Sequence, residues 1–275
     1  MRNLTPIYTM KKVLLAVFIF CIMQVMAGLV TIIPMQMLGI QPSSSSASVL
    51  MALAVLISEL VTALICGGAL KMMEFPATFN VQAVNWKWAM LAIIASVSGI
   101  FAGDLLSEIL SLPDVMEDMM VSMAHTVWGA AAIAVIGPIA EELLFREGMC
   151  GYLMRNGHST QKAIWVSAIL FGIIHFNPAQ VPFAILMGLI LGVIYAKTGN
   201  IVVTSIIHIL NNSVAVIEMN VLGDKVWDFS FVEWIGGEIV AGICIIAGFT
   251  LCFTLLRKFW ESSPVPVSLH DVGEL

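Results

Sequence analysis

The dominant pattern along the chain is a series of long apolar runs separated by short polar segments. Each run approaches or exceeds the length that crosses about 30 Å of hydrocarbon as a helix. The runs lie near residues 12–37, 46–71, 86–110, 124–153, 160–176, 179–197, 200–218 and 234–258. This pattern predicts an all-α fold, a polytopic membrane protein with about eight transmembrane helices in one bundle.

The first apolar run admits a second interpretation, because basic residues precede it and Ala27-Gly28 resembles a signal-peptide cleavage site. The run nevertheless continues through Ile33, beyond the apolar core of most cleaved signals. We therefore predict an uncleaved helix.

One membrane domain accounts for most of the chain, since no internal repeat is visible. We predict a cytoplasmic N-terminal segment at 1–11 and an eight-helix domain at 12–260. Its motif-bearing core spans 124–218, and a flexible cytoplasmic tail follows at 261–275.

The distribution of charge predicts the orientation of these helices. Asp114, Glu117, Asp118, Asp224 and Asp228 fall in the loops predicted to face outward, where Lys225 is the one basic residue. The other cationic residues lie on or toward the opposite side: Arg2, Lys11, Lys12, Lys71, Lys87, Arg146, Arg155, Lys162, Lys197, Arg257 and Lys258. The positive-inside rule then predicts that both termini face the cytoplasm. We expect the membrane to be the plasma (inner) membrane.

Composition excludes several classes of protein. With 60% hydrophobic and 11% charged residues, a mean hydropathy of +0.99 and a net charge of −6, the chain is neither disordered nor suited to nucleic acid. The five cysteines show no disulfide framework and no C-x-x-C pair, so we predict small core residues. The 18 methionines are expected to fill the core, with a methionine-lined substrate groove as the alternative.

Ionisable residues within the fourth apolar run indicate a functional site, because charge inside a membrane is costly. Glu142 and Arg146 are four residues apart and can pair on one helix face. Glu141 then points about 100° away, free to act as a general base. Gly137 and Pro138, one turn earlier, predict a local opening of the helix.

Two later runs carry polar residues at the same spacing: Phe171 with His175, and His208 with Asn212. Residues four apart share a helix face, so we expect these side chains to point into the bundle. Together with Glu141 they supply a carboxylate base, an imidazole and two donors for a developing oxyanion. This set suits the addition of water to a carbonyl.

The sequence resembles the CAAX prenyl protease and bacteriocin-processing family of intramembrane proteases, known as CPBP or Abi proteins. The resemblance rests on E-E-x-x-x-R at 141–146, F-x-x-x-H at 171–175 and H-x-x-x-N at 208–212. It implies an intramembrane endopeptidase that cleaves membrane-embedded or lipidated proteins or peptides near the cytoplasmic side of the bilayer.

The resemblance also implies residue roles. Glu141, helped by His175, would activate the attacking water, and His208 with Asn212 would stabilise the oxyanion. The residues Glu142, Arg146 and Phe171 would support the site.

The sequence is also compatible with two other functions and with a bound metal. The alternatives are a non-catalytic immunity or scaffold protein and, less favoured, a transporter using the same polar groups. We expect no cofactor, although Glu141, His175 and His208 are acceptable zinc ligands and no H-E-x-x-H is present.

Three further carboxylates lie within apolar runs. Glu59 stands in the middle of the second run, either packed with a hydrogen bond or lining a cavity. Asp104 and Glu108 share a helix face near the outer end and are expected to face water.

Overall fold

The structure, a computed structural model, describes residues 6–41, 44–74, 79–222 and 229–263. Most of the predicted tail, and Asp224, Lys225 and Asp228, lie outside these residues. Within them the chain forms ten helices, a 3₁₀ turn at Val81–Ala83 and no strand. The helices are α1 (Pro6–Leu38), α2 (Ser45–Ala69), α3 (Trp86–Leu110), α4 (Glu117–Ala124), α5 (Val127–Arg155), α6 (Thr160–Ile173), α7 (Gln180–Thr198), α8 (Ile201–Leu222), α9 (Phe231–Trp234) and α10 (Glu238–Ser262).

The predicted all-α membrane fold is confirmed. Seven of the described helices are long and apolar enough to cross a bilayer. The exception among the eight predicted spans is α6, whose 14 residues reach only about 21 Å. Large apolar side chains such as Leu14, Phe18 and Ile243 project outward, as lipid-facing residues do.

Contacts at one end of the bundle join the start of α1 to the ends of α2, α5, α7 and α10. The Lys12 ammonium donates to Leu70 O at 2.8 Å, and Arg155 donates to a carbonyl just after α2 at 2.8 Å. Lys197 lies 5.4 Å from the centre of the Trp260 ring. Because α1 begins and α10 ends at this basic end, the chain crosses the bundle an even number of times. The short α6 therefore adds one crossing to those of the seven long helices.

The opposite, acidic end is held by side chains that bond the connecting segments. Asn177 donates to Asp114 at 2.8 Å and accepts from Val115 N at 3.2 Å, fixing the segment after α6 against the one before α4. Glu108 accepts from Ser230 Oγ at 2.6 Å and so holds the start of α9. The expectation that Glu108 simply faces water was therefore incomplete, since a hydrogen-bonded loop covers it.

Glycines bring neighbouring helices close together around the site. Gly188 and Gly192, one turn apart on α7, face Ala168 and Ile164 of α6, where an added Cβ would lie within 3.0 Å of a neighbour. Small residues allow this approach, and close van der Waals contact is a main source of helix association in lipid. The short α6 is thereby held against the centre of the bundle.

Candidate active site

Helix α5 departs from α-helical geometry on both sides of Glu141. Its hydrogen bonding has π character at Ala132–Ile136 and again at Glu142–Gly151. Gly137 N donates to Ala132 O, and Pro138 has no N–H to offer, so the Ile133 carbonyl loses its partner within the helix. Such π segments are frequent at functional sites. The predicted opening before Glu141 is present.

Asn212 of α8 occupies this opening. Its Nδ2 donates to Ile133 O at 2.9 Å, and its Oδ1 accepts from Asn211 Nδ2 at 3.0 Å. Both bonds fix the orientation of the amide, and the second hydrogen on Nδ2 stays available to a ligand. Pro138 of α5 thus leaves the Ile133 carbonyl free to accept from Asn212 of α8, and this bond positions the amide.

Adjacent positions on α5 place Glu141 and Glu142 in different environments. The Glu141 side chain keeps 16% of its surface exposed and lines a cavity, whereas Glu142 is fully buried. Arg146 Nε lies 3.2 Å from Glu142 Oε2, and this guanidinium is also fully buried. The i,i+4 pair predicted from the sequence is present and leaves Glu141 outside it.

His208 connects the two carboxylates. Its Nδ1 lies 3.0 Å from Glu142 Oε1 and its Nε2 lies 3.5 Å from Glu141 Oε2. Because a carboxylate accepts but cannot donate, the Glu142 contact holds the Nδ1 proton and turns Nε2 toward Glu141 and the cavity. This imidazole is 3% exposed, so its orientation is fixed by packing as well as by hydrogen bonding.

Phe171 lies at the centre of these groups. The Arg146 guanidinium carbon sits 4.3 Å from its ring centre, within the range of cation–π attraction. His175 and His208 meet the same ring edge to face, at 5.0 Å and 5.7 Å between ring centres. One aromatic ring therefore orients both histidines and covers the arginine.

His175 follows the last turn of α6 and lines the same cavity as Glu141. Its Nδ1 lies 2.7 Å from Phe171 O, and because a carbonyl only accepts, Nδ1 carries the proton. In the neutral ring Nε2 then has a free lone pair. The carboxylate–imidazole contact that Glu141 makes is nevertheless with His208 rather than His175. The short α6 explains how a residue beyond its end reaches this depth.

A cavity of about 400 Å³ extends from the middle of α5 toward the acidic end. Glu141, His175, His208 and Asn212 all line it. Its walls also carry five of the methionines, namely Met119, Met120, Met123, Met187 and Met219. The cavity wall is thus rich in methionine, and flexible thioethers suit a site that accommodates varied apolar side chains.

The alternative zinc set does not assemble. Among the described residues no three His, Cys, Asp or Glu side chains converge in a way that could hold a metal ion. Glu141 contacts His208 Nε2 at 3.5 Å, whereas no contact joins Glu141 to His175. As these three side chains are placed, they do not form a zinc site.

The carboxylates outside the motifs divide between cavity and core. Glu59 lines the cavity beside Gly137, and Asp104 lines it from α3, so Asp104 faces the cavity rather than only bulk water. Sequence reasoning overlooked Glu147, which is buried and accepts hydrogen bonds from Tyr195 and Arg155. Its two-turn spacing from Arg155 was the available signal.

The fold and this arrangement together define a polytopic helical membrane protein with a carboxylate–histidine–amide site in its interior. Residues 123–214 match the family model described as Type II CAAX prenyl endopeptidase Rce1-like. The matched segment contains all three motifs and confirms the resemblance predicted from them. No curated protein and no solved structure shows a significant match to the chain.

Proposed function

We propose that this protein is an intramembrane endopeptidase that hydrolyses peptide bonds of membrane-associated proteins or peptides by means of a glutamate-activated water. One observation carries the proposal. Glu141, unlike Glu142, has no arginine partner among the described residues, and its carboxylate opens beside His208 on a cavity that His175 also lines. A base, a proton-accepting imidazole and two donors thus face one space.

In the proposed mechanism, a water held by Glu141 and His175 Nε2 loses a proton to the carboxylate as its oxygen adds to the substrate carbonyl. His208 Nε2, in its protonated form, and the free hydrogen of Asn212 Nδ2 donate to the developing oxyanion. Glu142 steadies the Nδ1 proton of His208, so it positions the donor without touching the substrate. Glu141 then returns its proton to the leaving amine.

We also propose that the basic end faces the cytoplasm, on the positive-inside rule. The cavity walls come from the acidic half of the bundle, including Met119, Gln180 and Glu218. In this orientation the substrate binds in the outer half of the membrane, opposite to the cytoplasmic-side cleavage expected at first.

Cysteine labelling in a cysteine-free background tests this orientation. A cysteine at Asn156 should react from the cytoplasmic side, and one at Pro113 from outside. The reverse pattern would contradict it.

Comparison of the peptides released in membranes carrying wild-type protein and Glu141→Gln tests the catalytic proposal. We expect a set of cleavage products that is lost in Glu141→Gln and retained in Glu233→Gln, which changes an exposed carboxylate on α9. Both variants should give the same elution volume and unfolding temperature in detergent. Products that persist in Glu141→Gln would reject the proposal.

Metal analysis tests the water-activation step separately. Purified active protein is expected to contain much less than one zinc per chain and to keep its activity after dialysis against a strong chelator. Near-stoichiometric zinc, with activity lost to chelation and restored by zinc, would recast Glu141 as a ligand.

A further inference from the structure

The cavity carries carboxylates from four different helices, and no lysine or arginine is among its described lining residues. Glu59 of α2, Asp104 of α3, Glu141 of α5 and Glu218 of α8 all line it. Four carboxyl groups thus share one space that offers them neither a lysine nor an arginine partner among the described lining residues.

Glu59 is the member of this set that most needs a partner. It is 8% exposed, and its Oε2 has no hydrogen-bond partner among the described residues. A buried polar atom left without a partner is destabilising, and more so when the group is charged. The carboxyl group is nevertheless given space, because the neighbouring position on α5 is Gly137, where even a Cβ would lie 3.6 Å from Oε2.

The other buried carboxylates near the site show what is missing at Glu59. Glu142 is paired with Arg146, and Glu147 with Arg155 at 2.8 Å. Each arginine comes from the same helix as its carboxylate. Among the described residues Glu59 has no such partner, although it is also buried and lines the space that a substrate would fill.

The spacing suits a cationic side chain of a bound peptide. Gly137, beside Glu59, precedes Glu141 by one helical turn, which is about 6 Å along the axis. A lysine or arginine side chain spans a similar length, so a peptide bond beside Glu141 can place an ammonium or guanidinium group at Glu59. Met119, Met123 and Met187 supply apolar walls for its methylene stem.

We propose that the acidic half of the cavity is a specificity site for a lysine or arginine side chain of the substrate, with Glu59 as its deepest ligand. Asp104 and Glu218, nearer the acidic end, draw the cation inward. This inference rests on the proposed endopeptidase activity and adds a substrate class, namely membrane-associated peptides with a basic residue within a few positions of the cleaved bond.

The test uses purified full-length protein in detergent and a peptide library made from a whole proteome with a glutamate-specific protease. Mass spectrometry of the products should show lysine and arginine enriched near the cleaved bonds. Peptides from this set are then resynthesised with lysine, norleucine or glutamate at the enriched position. We expect wild-type kcat/KM to be at least about tenfold higher for lysine than for norleucine.

Glu59→Gln should bring that ratio close to one while preserving cleavage of the norleucine peptide. Asp118→Asn, an exposed carboxylate on α4 outside the cavity, serves as the matched control and should leave the ratio unchanged. If Glu59→Gln does not fold, Glu218→Gln at the cavity rim should lower the ratio by a smaller factor.

The possible results separate the two proposals. Cleavage that depends on Glu141 but shows no basic preference in the wild-type protein would overturn the specificity site and leave the endopeptidase standing. A basic preference that survives in Glu59→Gln and Glu218→Gln would also overturn it. Absence of any Glu141-dependent cleavage would instead reject the endopeptidase itself.

Discussion

Helix α5 carries two carboxylate–arginine clusters, each built around a buried glutamate, that differ in how many of their polar atoms have hydrogen-bond partners. In the site cluster, defined as Glu142, Arg146, Phe171 and His208, the terminal nitrogens of Arg146 have no hydrogen-bond partner among the described residues. In the anchor cluster, defined as Glu147, Arg155, Tyr195 and Glu74, the Glu147 carboxylate is contacted by Arg155, the Tyr195 hydroxyl and the Glu74 amide.

This difference is informative because both clusters are built on a glutamate and an arginine of the same helix. The anchor cluster joins the ends of α2, α5 and α7, and Arg155 adds a bond to Met72 O at 2.8 Å. The polar groups of the anchor cluster are thus occupied by contacts within the protein. The site cluster balances charge mainly through one ion pair and an aromatic face, and its remaining contact to His208 leads directly to the cavity. The cluster whose carboxylate has several donors therefore holds helix ends together, whereas the cluster with unpaired polar atoms lies beside the cavity.

The largest expected difference between the clusters concerns stability on loss of arginine. Arg146→Ala leaves the fully buried Glu142 without its cation and should cost about 3–5 kcal/mol in unfolding free energy, together with activity. Arg155 is partly exposed and Glu147 keeps two other donors, so Arg155→Ala should cost less and retain activity in the folded protein. Denaturant unfolding in detergent measures both, and equal losses would contradict the comparison.

The second effect concerns asparagines that donate to backbone carbonyls. Asn212→Ala removes a proposed oxyanion donor and should lower kcat by about 10²–10³-fold. Asn200, which donates to Asn80 O at 2.7 Å near the basic end, provides the matched control. Asn200→Ala should lose about 1 kcal/mol of stability with little change in kcat. A similar rate loss in both variants would indicate that Asn212 acts only through folding.

A smaller effect is expected within the anchor cluster. Tyr195→Phe removes one donor to Glu147 and leaves Arg155 and the Glu74 amide in place, so we expect a loss of about 1–2 kcal/mol in stability. Activity of the folded protein should not change. Thermal unfolding and turnover are measured on the same preparation, and loss of turnover at unchanged stability would show that the anchor cluster contributes to catalysis.

The smallest effect should come from Pro138→Ala. Alanine restores an N–H that can compete for the Ile133 carbonyl, loosening the hold on Asn212. We expect a decrease in kcat of a few-fold at unchanged or slightly raised stability, since alanine favours a helix. Val135→Ala, at an exposed position on the same helix outside the cavity lining, provides a control for a mild change on α5. An unaltered kcat in Pro138→Ala would mean that other contacts suffice to orient Asn212.

Local spacing made part of the site predictable. The pair of Glu142 and Arg146 follows from one helical turn, and the separation of Glu141 from Glu142 follows from the angle between consecutive residues. The spans were predictable for the same reason, because a helix in lipid satisfies its own backbone groups within one segment. The inference about Glu108 was incomplete because its hydrogen-bond partner Ser230 lies more than a hundred residues away, which no local pattern reveals.

By itself the sequence determined the helical membrane fold, the three motifs and the faces on which their side chains lie, because each depends on backbone geometry within a single helix. Only the tertiary structure decided that His208 bridges Glu141 and Glu142, that Phe171 covers Arg146, and that the cavity lies toward the acidic end. These features depend on how helices distant in sequence pack against one another, and that packing is set jointly by glycines, aromatic rings and buried charges from many segments.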